Sequence, residues 1–371
     1  TCGTMNFMMN GKDIKYKLLG KTPEELKEIA VKCGLPSYAG GQIAQWLYKK
    51  KVKSIDEMTN LSKAGRERLA ESYETGAVAY SECMESVDGT KKYLFPVTCS
   101  LLGGLNRIET ENAGTVESSS IEAVMIPELD RRTLCVSSQA GCKMGCKFCM
   151  TGRQGFHGNL SAADILSQFV SVDEAEQLTG TVFMGMGEPL DNYDNVIKFL
   201  KLVNHKSGMN IGLRHVSLST CGLVDRIDRL AGEGLPVTLS VSLHAPNDDI
   251  RRRIMPVANR YSIDELLDCC RRYEKRTGRR TSFEYALIRG VNDSPACAHE
   301  LGSRLRGSLC HVNLIPVNEV KGKIYKRSEK VAIELFTKAL ESYRMTVTVR
   351  RSLGGDINAS CGQLRAEHSQ G

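Results

Sequence analysis

Apolar and polar positions along this chain change rhythm twice. From Thr22 to about Tyr73 the apolar residues recur at helical spacing. Thr22-Pro23-Glu24-Glu25 is a helix start, with Thr as N-cap and Pro in the first turn. Gln42 to Lys50 predicts a second amphipathic helix and Ser62 to Ser72 a third. From Val78 to about Met125 the pattern alternates as strands do, with a hairpin signal at Asp88-Gly89. Thr98 to Ser120 is rich in Gly, Ser and Thr and predicts a flexible excursion.

From Thr133 onward, short β-branched runs alternate with helical stretches. The runs are TLCVSSQ (133–139), TVFMGMG (181–187), HVSLST (215–220), VTLSVSLH (237–244), TSFEYALI (281–288), HVNLIPV (311–317) and TVTVRRS (346–352). Helical patterns lie at about 161–177, 192–204, 223–232, 262–276, 295–306 and 328–343. Strand–helix alternation predicts a parallel sheet with crossover helices, hence an α/β fold. Six or so units predict a partial (β/α)6-type barrel, with its chemistry at the C-terminal strand ends. A small N-terminal helical accessory domain (18–75) and a short β extension (76–128) precede this barrel (129–364).

Composition narrows the class. Hydrophobic residues make up 41% and charged residues 25% of 371 positions, enough for a full buried core. No apolar run approaches the roughly 18 residues of a membrane span. The first residues lack a basic stretch followed by an apolar one, which predicts a cytoplasmic chain without a membrane partner. Fourteen cysteines in such a chain predict reduced thiols, some of them ligands or catalysts. Cys33, Cys83, Cys99, Cys269, Cys270, Cys297 and Cys310 read as small buried hydrophobes. The formal net charge of +7 permits an acidic partner such as RNA. Basic clusters that could meet phosphates are Arg251-Arg252-Arg253, Arg271-Arg272, Lys275-Arg276 with Arg279-Arg280, and Lys321 to Arg327.

The most informative stretch is Gly141-Cys142-Lys143-Met144-Gly145-Cys146-Lys147-Phe148-Cys149. Three thiolates at Cys-x3-Cys-x2-Cys spacing in one loop can wrap one metal centre. A structural zinc site wants four ligands, usually as two Cys-x2-Cys knuckles. A 4Fe–4S cluster held by three cysteines leaves one iron open for a further ligand. Zinc and a chance grouping of buried thiols are the plainer alternatives.

This motif, with an aromatic before the last Cys, resembles that of the radical S-adenosylmethionine (SAM) superfamily. More narrowly, the chain resembles the RlmN/Cfr family of RNA adenine methyltransferases from about Leu18 to Leu364. The strings that carry the likeness are LCVSSQAGCKMGCKFCMTG, FMGMGEPL, SLHAPND, HVNLIPVN and GGDINASCGQL. The resemblance implies one 4Fe–4S cluster on Cys142, Cys146 and Cys149, whose open iron chelates SAM. Gly187 and Glu188, Ser219, Ser242, Leu243, His244 and Asn318 match the family's SAM positions. Taken alone, His244 reads as a packed strand-end histidine and Gly185-Met186-Gly187 as a turn.

The resemblance also implies the reaction. Carbon 2 of adenine is electrophilic and cannot displace a methyl group from SAM, whereas a radical can add there. Cys361 matches a methyl-carrying cysteine, a thiolate nucleophile that takes its methyl from one of two SAM molecules used per turnover. Cys135 matches a cysteine that resolves the protein–RNA adduct through a transient disulfide with Cys361. Glu122 matches a general base. Read without the resemblance, Cys135 is as well a structural strand cysteine and Glu122 a solvent-facing strand residue. Cys221 stands where relatives commonly have Ser, Ser360 where Ala is usual, and Ala39-Gly40-Gly41 lacks a common Arg. The implied partners are 23S rRNA, tRNA and an electron donor such as flavodoxin or ferredoxin, with the chain monomeric. Methylation at carbon 8, as in Cfr, and a non-catalytic metal-stabilised RNA-binding module are the alternatives.

Overall fold

In the computed structural model, the described residues are 15–98, 118–128, 131–318 and 324–364. The expected excursion at 98–120 lies almost wholly outside them, as do Cys99, Lys321 and Lys323.

The chain opens with β1 (Tyr16–Lys17), α1 (Pro23–Lys32), α2 (Ala39–Ala44, prolonged by a π-helical turn over Gln45–Lys49), α3 (Lys63–Ser72) and β2 (Tyr73–Glu74). Thr22 and Glu25 form a reciprocal capping box at α1, each side chain taking the other's backbone N–H. Leu26, Ile43, Leu47 and Leu69 are buried between these helices. Lys50 lies over the Trp46 ring, 3.5 Å from its centroid.

Strands β3 (Glu82–Glu85), β4 (Lys91–Thr98) and β5 (Ser118–Glu128) pair antiparallel. The turn joining β3 and β4 contains Asp88-Gly89, as its dipeptide predicts. β5 pairs antiparallel with β6 (Arg131–Cys135), the first strand of the parallel series. After β6 come a small hairpin of β7 (Gln139–Gly141) and β8 (Phe156–Asn159), with α4 (Met150–Gln154) between them, then α5 (Ala162–Ser171). The series continues β9 (Gly180–Phe183), α6 (Tyr193–Asn204), β10 (Val216–Thr220), α7 (Val224–Gly232) and β11 (Thr238–Ser242). It ends α8 (Asp248–Ile254), α9 (Ile263–Thr277), β12 (Thr281–Leu287), α10 (Pro295–Leu305), β13 (Cys310–Pro316), α11 (Lys330–Ser342) and β14 (Thr346–Val349).

One ten-stranded sheet results, in the order β14-β13-β12-β11-β10-β9-β6-β5-β4-β3. Its seven strands from β6 to β14 are parallel. The sheet curls. Laid flat, β14 and β9 would stand roughly 24 Å apart at ~4.8 Å per strand step. Yet Arg350, just past β14, donates from Nη1 to Met184 Sδ, just past β9, at 3.2 Å. Only a partial barrel brings those ends together.

Register assigns the two faces. Val216, Leu218, Leu239, Val241, Phe283, Tyr285, Val312 and Leu314 share the outer face and are fully buried beneath the helices. Phe336 of α11 packs on Tyr285 and Phe199 of α6 on Phe183. The opposite, concave face carries Ser217, Ser219, Ser240, Ser242, Ser282, Glu284, His311, Asn313 and Thr348. These polar groups bond to one another: Ser217 to Ser240 at 2.9 Å, Asn313 to Glu284 at 2.7 Å, Thr348 to His311 at 3.0 Å. A barrel filled for stability alone carries branched apolar layers inside; this one is lined for a polar occupant.

Three readings of the chain need correction. Of the cysteines expected to be buried, Cys83 is exposed, on the edge strand β3, and Cys33 and Cys310 are half-buried. Glu122 is buried rather than solvent-facing, on a covered face of the sheet where it pairs with Lys92 of β4. Arg251 is fully buried, so it cannot meet an RNA phosphate with Arg252 and Arg253. Arg271 and Arg272 are engaged by Asp268 and Asp228. Among the described residues no helix is long and apolar enough to cross a membrane.

Candidate active site

The cysteine loop is the connection between β7 and β8, so its two ends are clamped at a hairpin base. Cys142 N–H donates to the Gly155 carbonyl at 2.7 Å across that base. Gly141 has φ +72°, and a Cβ there would lie 2.0 Å from the Gly155 oxygen, so only glycine fits. The far side of the loop is held by other elements. Lys147 N–H donates to Ile254 O of α8 at 2.9 Å, and Met150 N–H to Gly362 O at 2.9 Å.

The thiols act on one another. Burial pushes Cys142 up to about 12, with Cys149 adding to the shift. Burial, Cys149 and Cys142 together push Cys146 higher still. Cys142 and Cys146, whose ionisation their surroundings oppose, need a cationic centre to become thiolates at neutral pH, which is the donor chemistry an iron–sulfur cluster fits. Among the described residues no three His, Cys, Asp or Glu side chains converge as ligands of a single metal ion would.

The strand ends around this loop are tied together by Gln139. Its Oε1 accepts from Glu188 N–H at 2.9 Å, and its Nε2 donates to Asn159 and Asp191 at 2.8 Å each. Asp191 in turn pairs with Lys143 at 3.1 Å. Gly187 has φ +98°, and a Cβ there would meet Gln139 N at 2.7 Å. The Glu188 carboxylate is buried. Oε2 accepts from Cys221 N–H at 2.7 Å and Oε1 from Leu190 N–H at 3.0 Å, joining the ends of β9 and β10. Burial raises its pKa and the Cys221 N–H opposes that rise. Cys221, where a Ser was expected, is itself buried against this carboxylate.

Ser219 and Ser242 lie on the concave face at the C-terminal ends of β10 and β11. Leu243 follows, buried, and then His244 in the left-handed region at φ +57°. His244 Nδ1 accepts from Ala286 N–H at 2.8 Å, and Phe148 of the cysteine loop meets the ring edge-on at 4.9 Å. Burial, then the Arg251 charge, lowers its pKa to about 3, so the ring is neutral. Asn318 donates to the Cys361 carbonyl at 3.2 Å and accepts from Ser352 at 2.8 Å.

Cys135, Glu122 and Lys92 share one face of the antiparallel extension. The register pairs Lys92 with Val124 and Val124 with Cys135, and Glu122 is two residues from Val124. Lys92 Nζ lies 3.1 Å from Glu122 Oε1, with both side chains almost fully buried. Burial, then the charge of Cys361, pushes Cys135 up to about 12. Arg350 is held protonated first by Cys361 and next by Glu284 and Cys135. Cys135 and Cys361 are thus within electrostatic reach of each other and of one arginine. The Cys361 loop is anchored twice: Ser360 Oγ donates to Leu353 O at 2.6 Å, and Gly354 N–H donates to Asp88 of the β3–β4 turn at 2.8 Å. The hydroxyl that Ser360 adds is therefore satisfied.

All the candidate residues gather at one end of the partial barrel. Reading the chain missed four that the structure adds: Gln139, Arg251, Glu284 and Arg350. For Glu284 a signal existed, since the strand around it alternates polar with apolar.

Comparison with known proteins identifies the chain's relatives. The family model of the ribosomal RNA large subunit methyltransferase N-terminal domain matches residues 16–75, and that of the radical SAM superfamily matches residues 136–299. A probable dual-specificity RNA methyltransferase RlmN of Alkaliphilus oremlandii is 46% identical over 96% of this chain and 99% of its own. Its counterpart in Clostridium perfringens is 46% identical over 95% of this chain and 97% of its own. The crystal structure of a radical SAM methyltransferase from Sphaerobacter thermophilus is 42% identical. It superposes with a TM-score of 0.87 over 95% of this chain and 100% of that one.

Proposed function

The chain belongs to the RlmN family of radical SAM RNA methyltransferases, and we propose that it methylates carbon 2 of an adenine in 23S rRNA and in tRNA. The observation that supports this reading is that Cys135 and Cys361, from opposite ends of the barrel sequence, lie within electrostatic reach of each other, with the Cys361 loop tied to the cysteine loop through Gly362 and Met150. A methylase that passed the methyl group from SAM directly to a nucleophilic nitrogen or oxygen would need neither thiol.

Cys142, Cys146 and Cys149 would hold one 4Fe–4S cluster. When bound it supplies the electron that makes radical chemistry on SAM available, the electron coming from a carrier such as flavodoxin or ferredoxin. The concave ends of β10 and β11, with Ser219, Ser242, Leu243 and His244, and the turn at Gly187-Glu188 form the shelf for SAM. Both Glu188 oxygens already accept backbone N–H groups. The carboxylate thereby joins two strand ends, and each oxygen keeps a further lone pair with which to accept from the SAM ammonium.

The chain's own groups then act in order. Cys361 Sγ, in its anchored loop, accepts a methyl group and afterwards carries the carbon that bonds to the base. Glu122 takes the proton released from the base carbon. Its carboxylate is held for that task by Lys92. Cys135 Sγ attacks Cys361 Sγ: an S–S bond forms, the S–C bond breaks, and its electron pair stays on the product carbon, which takes a proton to become the methyl group; a thiol reductant then returns the disulfide to two thiols. Cys135 needs its proton removed first, since burial and Cys361 both oppose its ionisation. The target nucleotide must leave its stack to reach this barrel end.

Nucleoside mass spectrometry of rRNA and tRNA incubated with the reconstituted enzyme, SAM and a reductant tests the reading. The expected product is 2-methyladenosine in both. An 8-methyladenosine product would overturn the regiochemistry, and unmodified RNA with intact SAM cleavage would overturn the substrate.

A further inference from the structure

Arg251, on α8, is fully buried although it belongs to a run of three arginines. Its guanidinium is tethered to the tops of two barrel strands. Nε donates to Leu243 O at 3.1 Å, and Nη2 donates to Cys221 O at 2.7 Å and Ser242 O at 3.4 Å. Nη1 is sealed from solvent and has no hydrogen-bond partner among the described residues. An unbonded donor on a buried cation is costly, and such a group wants an anion.

The surroundings say which anion. Lys147 of the cysteine loop rests on the Ile254 carbonyl, at the end of the same short helix. Cys146, the neighbour of Lys147, lies within electrostatic reach of the guanidinium. Held by three carbonyls, the cation cannot swing away to solvent.

We propose that Arg251 is the fixed counter-charge of the thiolate centre, its Nη1–H serving the Cys146 side of the cluster. This rests on the reading that Cys142, Cys146 and Cys149 hold that cluster. A cluster on three thiolates is anionic and becomes more so when it takes an electron. A fixed positive charge and an N–H donor at a sulfur favour the reduced form, and hydrogen bonds to sulfur are among the factors that set cluster potentials. Arg251 therefore makes the cluster easier to reduce.

The test is an anaerobic redox titration, followed by electron paramagnetic resonance, of the full chain and its Arg251→Gln and Arg251→Lys variants, with iron and sulfide counted in each. We expect Arg251→Gln to keep its cluster and to disfavour reduction about tenfold, a midpoint shift of ~59 mV to more negative potential for one electron. Arg251→Lys keeps the charge and loses the fork, so its shift is smaller and in the same direction. If Arg251→Gln does not fold, the lysine variant decides. An unchanged midpoint in a fully loaded variant overturns the proposal. So does lost SAM affinity at an unchanged midpoint, which would assign the guanidinium to SAM instead. A wild-type chain that assembles no cluster would instead overturn the ligand assignment itself.

Discussion

The protein holds two groups of cysteines that are built in opposite ways. Cys142, Cys146 and Cys149 sit in one loop, closed at its base by a two-strand hairpin, and their spacing alone announces a metal centre. Cys135 and Cys361 stand at the two ends of the barrel sequence and come within electrostatic reach of each other only because the sheet curls. The first group is a local device that needs glycines and a hairpin. The second is a tertiary device that needs the whole fold, an anchored C-terminal loop and a shared arginine. A cofactor site can be written in nine residues, whereas a relay between two thiols has to be assembled by the architecture.

Breaking the local device should have the largest effect. Replacing Cys142, Cys146 or Cys149 by Ala removes one of three ligands, and we expect loss of the cluster, of SAM cleavage and of all RNA methylation. Anaerobic iron counting checks this, and a full cluster in any variant contradicts it. Breaking the tertiary device should abolish the product while sparing the cofactor. Cys361→Ala is expected to keep a normal iron content but to yield neither methylated protein by mass spectrometry nor modified RNA.

Smaller effects sharpen the same contrast. Glu122→Gln leaves the Lys92 ammonium buried without its carboxylate, which is expected to cost about 3 kcal/mol of stability. The lost base should slow methylation roughly 10²-fold. Denaturant unfolding and single-turnover assays separate the two consequences, and a variant of full stability and rate would remove Glu122 from the site. The mildest change is in the anchor of the Cys361 loop. Burial raises the Asp88 carboxyl, but the Gly354 N–H and Thr90 outweigh it and hold it at about 2, below its ordinary 3.8. A carboxylate lowered in this way stabilises the folded form above pH 3.8 and loses that contribution as pH falls towards 2. Asp88→Asn should therefore show faster hydrogen exchange at 353–361 at neutral pH. It should also lack the part of the wild type's acid loosening that falls within that window.

What could be read in the chain follows from whether the information was local. Thr22 and Glu25 announce the capping box at α1, and Asp88-Gly89 announces the turn joining β3 and β4. The alternation in VSLST and TLSVS contains the polar concave face, because residues two apart on a strand share a side. Glu122 was misread for the opposite reason. Its strand looks half-exposed in isolation, and only the assembled fold covers the face of the sheet where it pairs with Lys92. Arg251 was hidden in a run of three arginines whose charge suggested surface. Its burial comes from carbonyls at the ends of β10 and β11, which nothing adjacent in the chain foretells. Cys135 and Cys361 were recognisable by likeness, but their proximity is a property of the closed sheet.

In the proposed reaction Cys361 carries the methyl carbon to the base and Cys135 releases the product. Cys135→Ala tests it most directly, because it keeps the cluster, the acceptor thiol and the radical step while removing the thiol that resolves the adduct. Incubated with labelled RNA, SAM and a reductant, this variant should accumulate protein covalently joined to RNA through Cys361. The species should appear on a denaturing gel and shift after nuclease treatment. Normal turnover by Cys135→Ala, or loss of turnover with no covalent species, would contradict the claim.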